Sequence, residues 1–132
     1  SGEQAGTVSG GCVEEELLEQ LRDGAFSGDR PELVEYGISA AENERLGLPC
    51  GGRLTLLIQR LQPTDGAWVA ESLKIIESRC CVERLVDITT GATTLHPIPQ
   101  YTSLKLSDAN LRQCFGPRMR MLLVGAGQLA QN

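Results

Sequence analysis

The pattern of apolar residues predicts an α/β protein: a small mixed α/β domain, followed by the first strand and glycine-rich loop of a second domain. Three observations predict it. A helical apolar period follows residue 12, alternating or unbroken apolar stretches recur at 34–38, 54–61 and 82–88, and the apolar run 119–124 ends in Gly125-Ala126-Gly127. The expected organisation is a domain over 1–99, a linker over 100–117, and the opening of the second domain over 118–132.

Each element has a local reason. Val13, Leu17 and Leu21 fall at i, i+4 and i+8, one apolar stripe of a helix. Glu14, Glu15 and Glu16 lie in its first turn, where the dipole favours negative charge; they read as a solvated face. Arg22 closes the helix and Gly24 stops it. Val34, Tyr36 and Ile38 alternate with Glu35 and Gly37, as in a half-buried strand. Residues 40–46 form a short polar helix ended by Pro49. The run 54–61 reads as a strand buried on both faces. Asp65-Gly66 introduces a helix with Val69, Leu73 and Ile76 on its packed side. Residues 82–88 and 92–95 make a hairpin about Thr89-Thr90-Gly91. His96-Pro97-Ile98-Pro99 reads as a break in the ladder, and 108–115 as a short helix.

Composition narrows the function. Lys+Arg 12 against Asp+Glu 17 leaves a net charge of −5, which argues against nucleic acid or an anionic membrane as partner. Apolar residues make up 41%, enough for a core, and no run approaches the ~18 residues of a membrane-spanning helix. Five cysteines, Cys12, Cys50, Cys80, Cys81 and Cys114, lack both zinc spacing and the density of a disulfide scaffold, so reduced thiols and a cytoplasmic location are expected. Of Cys80 and Cys81, strand alternation turns one inward. The chain opens on Ser1-Gly2 without an initiator methionine and stops inside a glycine-rich motif, as a piece of a longer parent would.

Three motifs could carry chemistry. Ser9-Gly10-Gly11-Cys12 opens a helix, where glycine backbone N–H groups can converge on an anion beside a thiol. A tight turn with a small buried cysteine accounts for the same residues. Cys50-Gly51-Gly52 repeats the pairing of thiol and glycines at a strand start. If the fold brings the two together, Cys12 and Cys50 line one soft-ligand pocket for a thiophilic metal or for sulfur transfer. Gly125, Gly127 and Ala130 fit G-x-G-x-x-A, the dinucleotide fingerprint of a Rossmann domain, but its helix and ribose-binding acid lie outside the sequence. An NAD-type nucleotide is therefore expected only in a longer parent, and His96 alone makes no Ser/His/Asp set.

The stretch from Gly6 to Glu14, followed by Cys50-Gly51-Gly52 and then by 122–131, resembles the XdhC/CoxI family, maturation factors for xanthine dehydrogenase and CO dehydrogenase. The resemblance implies a protein that binds molybdenum cofactor (molybdopterin), holds it while a cysteine desulfurase supplies the sulfido ligand, and delivers it to a molybdenum hydroxylase apoprotein. It makes Cys12 and Cys50 the motif cysteines, with molybdenum reached through the cofactor. Ser9, Gly10, Gly11, Gly51 and Gly52 become their turns, and Gly125, Gly127 and Ala130 the nucleotide-type loop. Gln128 stands where many members have His. A homo-oligomer is compatible with this role. The competing readings are a fragment of a nicotinamide-dependent oxidoreductase, a thiol-based sulfur-transfer protein, and an interaction module; the leading one is a carrier without turnover.

Overall fold

A computed structural model describes residues 3–47 and 52–119. Among the described residues the protein is a mixed α/β structure whose strands all pair antiparallel, in two sheets. The chain divides into two compact units, Ser1–Gln62 with Ile88–Gly91, and Pro63–Asp87 with Ala92–Asn132.

In the first unit, helix α1 spans Cys12–Arg22 and strand β1 Glu32–Tyr36. Helix α2 spans Ala40–Arg45 and strand β2 Leu54–Ile58. The α1 stripe forms as its spacing predicts: Val13 is fully buried and Leu17 partly so, while Leu21 lies 48% exposed at the far end. Gly24 follows the helix at φ 90, the left-handed stop. β1 and β2 pair with Val34 opposite Leu56 and Tyr36 opposite Leu54, one face of a two-stranded sheet. That face packs with Val13, Leu17 and Leu46 into the core of the unit. β2 ends at Ile58 and is half-buried, so the expected double-faced burial over 54–61 does not form. A ladder of two strands does not cover both faces, and Leu61 is 50% exposed.

α2 is capped at its N-terminus by two side chains. Ser39 Oγ accepts from the Glu42 N–H (3.2 Å), and Glu42 Oε2 accepts from the N–H groups of Gly37 (3.1 Å) and Ile38 (3.0 Å). Gly37 has φ 84, and a Cβ there would sit 2.2 Å from the Gly52 carbonyl oxygen. Only glycine fits where the end of β1 meets the backbone before β2.

In the second unit, helix α3 spans Gly66–Glu77 and packs on strands β3, Cys81–Asp87, and β4, Thr93–Ile98. Strands β5, Lys105–Leu106, and β6, Asn110–Phe115, complete a sheet of order β4-β3-β6-β5. The hairpin about Thr89-Thr90-Gly91 forms as expected, closed by Asp87 N–H to the Ala92 carbonyl at 2.9 Å.

Three expectations are corrected here. His96, Pro97 and Ile98 continue β4 opposite Glu83, Val82 and Cys81. β4 is an edge strand, where proline's missing donor can face away from the ladder. Residues 108–115 are not helical: β6 pairs with β3 along Val82 to Asp87, a long-range partnership that no local pattern announces. The stretch 100–117 therefore contains two strands of this sheet. Finally, α3 is turned about one residue from the expected face. Trp68, Ser72, Ile75 and the expected Ile76 lie inward, while Val69 and Leu73 are exposed, Leu73 at 54%. Trp68 decides the rotation, because its ring covers the buried Arg84 guanidinium at 4.1 Å.

The run 119–124, apart from an exposed Met119, and the loop with Gly125, Gly127 and Ala130 lie outside the described residues.

Candidate functional site

The loop before α1 is built around a carboxylate of the helix it precedes. Gly10 and Gly11 take φ 86 and 133, which turns the chain tightly into the helix with Gly11 at the N-cap. Glycine has no side chain to cap with, and the loop supplies the deficit from both directions. Ser9 Oγ accepts from the Val13 N–H at 3.0 Å, satisfying one first-turn donor. Glu14, three residues after the cap, reaches back over the loop. Its Oε1 accepts from Thr7 Oγ1 (2.6 Å), the Ser9 N–H (3.2 Å) and the Val8 N–H. Its Oε2 accepts from Ser9 Oγ (2.6 Å) and the Gly11 N–H (3.1 Å). The Gly10 N–H is held by Thr7 Oγ1 at 2.9 Å.

The backbone donors do converge, and the anion they hold is internal. The hydroxyls of Ser9 and Thr7, then the Val8 N–H, keep the Glu14 carboxyl well below the usual carboxylate range. The three glutamates thus have separate roles. Glu15 is exposed, and Glu16 pairs with Arg45 at 2.7 Å, its side chain only 21% exposed. Glu16 raises the Arg45 guanidinium's proton affinity in return. The sequence did carry a sign of this arrangement. An acid at the third helical position, as in Gly11-Cys12-Val13-Glu14, is the reach-back half of a capping box.

Cys12 occupies the first helical position with its side chain exposed, so it is not the small buried hydrophobe of the plainer account. Its neighbours are both fixed. Gly11 is held at its N–H by Glu14 and at its carbonyl by the Glu15 N–H (2.9 Å), and Val13 is sealed in the core. Of the second motif, Gly52 is exposed, its backbone against Gly37, while Cys50 and Gly51 lie outside the described residues. Leu46 and Leu54, which flank that segment, share one core cluster with Val13.

An apolar groove of about 530 Å³ runs between the strap Gln4–Val8, the Leu17, Leu18 and Leu21 side of α1, and β2. Glu14 is one of its lining residues, and Cys12 is not among its walls. Cys81 and Cys114 are buried in the second unit, so one of the pair 80–81 does point inward, while Cys80, which precedes β3, is exposed. Among the described residues no cluster of His, Cys, Asp and Glu is arranged to hold a metal ion, and no helix is long and apolar enough to cross a membrane.

Sequence reasoning missed Arg84, buried at the centre of the second sheet. It donates to Gln113 Oε1 at 3.4 Å and Thr93 Oγ1 at 3.3 Å beneath Trp68. Within the apolar and alternating run 82–88 it gives no local sign of burial.

No curated protein and no solved structure matches the chain. Residues 1–37, which carry the Thr7–Gly11 loop, α1 and β1, match the sequence model of the XdhC and CoxI family.

Proposed function

We propose that the protein is an accessory maturation factor for a xanthine dehydrogenase-type molybdenum hydroxylase. In this reading it carries molybdenum cofactor and passes it, sulfurated by a cysteine desulfurase, to the apoprotein. The observation that carries the reading is the family match over 1–37 together with an exposed Cys12 at the start of α1 inside that segment. A thiol suits the soft, sulfur-bound metal end of such a cofactor. The donors of the Ser9-Gly10-Gly11 loop are turned to Glu14, so the residues fit the metal end and not the phosphate end at this loop. Cys12 would hold the cofactor, with Ser9, Gly10 and Gly11 shaping the turn that presents it. Cys50 would be the second thiol, turned by Gly51 and Gly52. Gly125, Gly127 and Ala130 would serve a nucleotide-type loop. Bound cofactor supplies the molybdenum centre that the client enzyme later uses. The protein itself orients it and shields it without turnover.

The test is cofactor co-purification beside thermal melts for Cys12→Ala, Cys50→Ala and Cys80→Ala, the last an exposed thiol in the other unit. The expected result is cofactor content reduced about tenfold or more for a lost soft ligand, with little change in melting. Equal content in all three variants would overturn the carrier reading.

A further inference from the structure

We infer that Glu14 is the positioning residue of the Cys12 thiol, an inference that rests on the carrier reading only for what the thiol does. Residues 3–8 are exposed, and two successive glycines, Gly10 and Gly11, carry the chain into α1. Such a segment has high conformational entropy and no apolar anchor of its own. Five hydrogen bonds to one carboxylate hold it: two from hydroxyls and three from backbone N–H groups. They reach both residues that flank Cys12. The Gly11 N–H bonds Glu14 directly, and the Val13 N–H bonds Ser9 Oγ, which itself donates to Glu14. The thiol is exposed, yet the backbone on either side of it is clamped by a single side chain. A charged acceptor gathers five donors where a neutral amide, with one oxygen, cannot. Glu42 supplies an internal comparison. It sits at the same helical position in α2 and gathers the Gly37 and Ile38 N–H groups, with no cysteine beside it.

The experiment compares wild type, Glu14→Gln and Glu42→Gln by amide hydrogen exchange and by iodoacetamide alkylation mapped peptide by peptide, with Cys80 as reference thiol. Glu14→Gln is expected to speed exchange at Val8, Ser9 and Gly11 about tenfold or more, through loss of charge-assisted bonds. It is also expected to raise Cys12 alkylation about threefold or more relative to Cys80, as the ordered turn that holds the thiol is lost. Glu42→Gln is expected to loosen Gly37 and Ile38 while leaving the Cys12-to-Cys80 ratio unchanged. If Glu14→Gln and Glu42→Gln leave that ratio equally unmoved, Glu14 is only a cap and the inference falls. Neither readout uses cofactor, so failure of the carrier reading and failure of this one are separate results.

Discussion

Gly37 shows how narrowly one position can be specified. Its φ of 84 is the left-handed region, and a Cβ would stand 2.2 Å from the Gly52 oxygen and 2.6 Å from Asn43 Oδ1. Ala at this position faces both backbone strain and a collision with main chain that cannot rotate away. Gly37→Ala is expected to cost about 2 kcal/mol or more. The measurement is the urea dependence of amide exchange in β1 and β2, whose pairing ends at Tyr36 and Leu54 beside this contact. An unchanged midpoint for those amides would contradict the account. Gly10 and Gly11 share the left-handed backbone but have open space where a Cβ would go, so strain acts there without collision.

Among the elements, α3 and the sheet beneath it are joined by an unusual contact for a core. Arg84, 7% exposed, is flanked on its strand by Val82 and Val86 on the same face, with Trp68 stacked on its guanidinium. Burial lowers the guanidinium's proton affinity, and Asp65 offsets part of that. The flat fork both stacks and donates sideways to Gln113 and Thr93, whereas an ammonium is a compact charge with neither geometry. Arg84→Lys is therefore expected to destabilise the second unit by about 1–2 kcal/mol despite the retained charge. The Trp68 fluorescence transition in urea reports this directly, since Trp68 is the protein's single tryptophan. A midpoint equal to wild type would show that only the positive charge mattered.

For the molecule as a whole, the titrating groups with clear shifts set a window of pH. Glu14 has a folded value depressed below its reference of 4.5. Its contribution is fully present above that reference and is lost as pH falls towards the folded value. Tyr36 is shifted the other way, raised above 10.0 by burial first and then by Glu16 and Glu42. Its contribution is present below 10.0 and is lost as pH rises through the folded value. Both groups belong to the first unit, so its stability is expected to fall at both extremes. In residue-resolved exchange, Glu14→Gln should flatten the acid limb and Tyr36→Phe the alkaline one. Unaltered limbs in these variants would remove both groups as the cause.

What the chain settled locally, it settled well. The α1 stripe, its stop at Gly24, the short α2 helix, and the turn at Thr89-Thr90-Gly91 all depend on neighbours within a few residues, and all stand where the patterns place them. The loop around Cys12 was legible in part. Its glycine turn and its donors were evident, but three adjacent glutamates read as one charged face concealed that Glu14 alone reaches back. Tertiary structure decided the rest. Residues 110–115 became a strand because β3 lay open along its length, and α3 turned to set Trp68 over a charge 16 residues further along the chain. Pro97 entered a ladder because its strand is an edge, and β2 stayed half-covered because its sheet has two strands. Local chemistry sets which conformations are cheap, and only the partner a segment meets determines which of them buries the most surface and satisfies its hydrogen bonds.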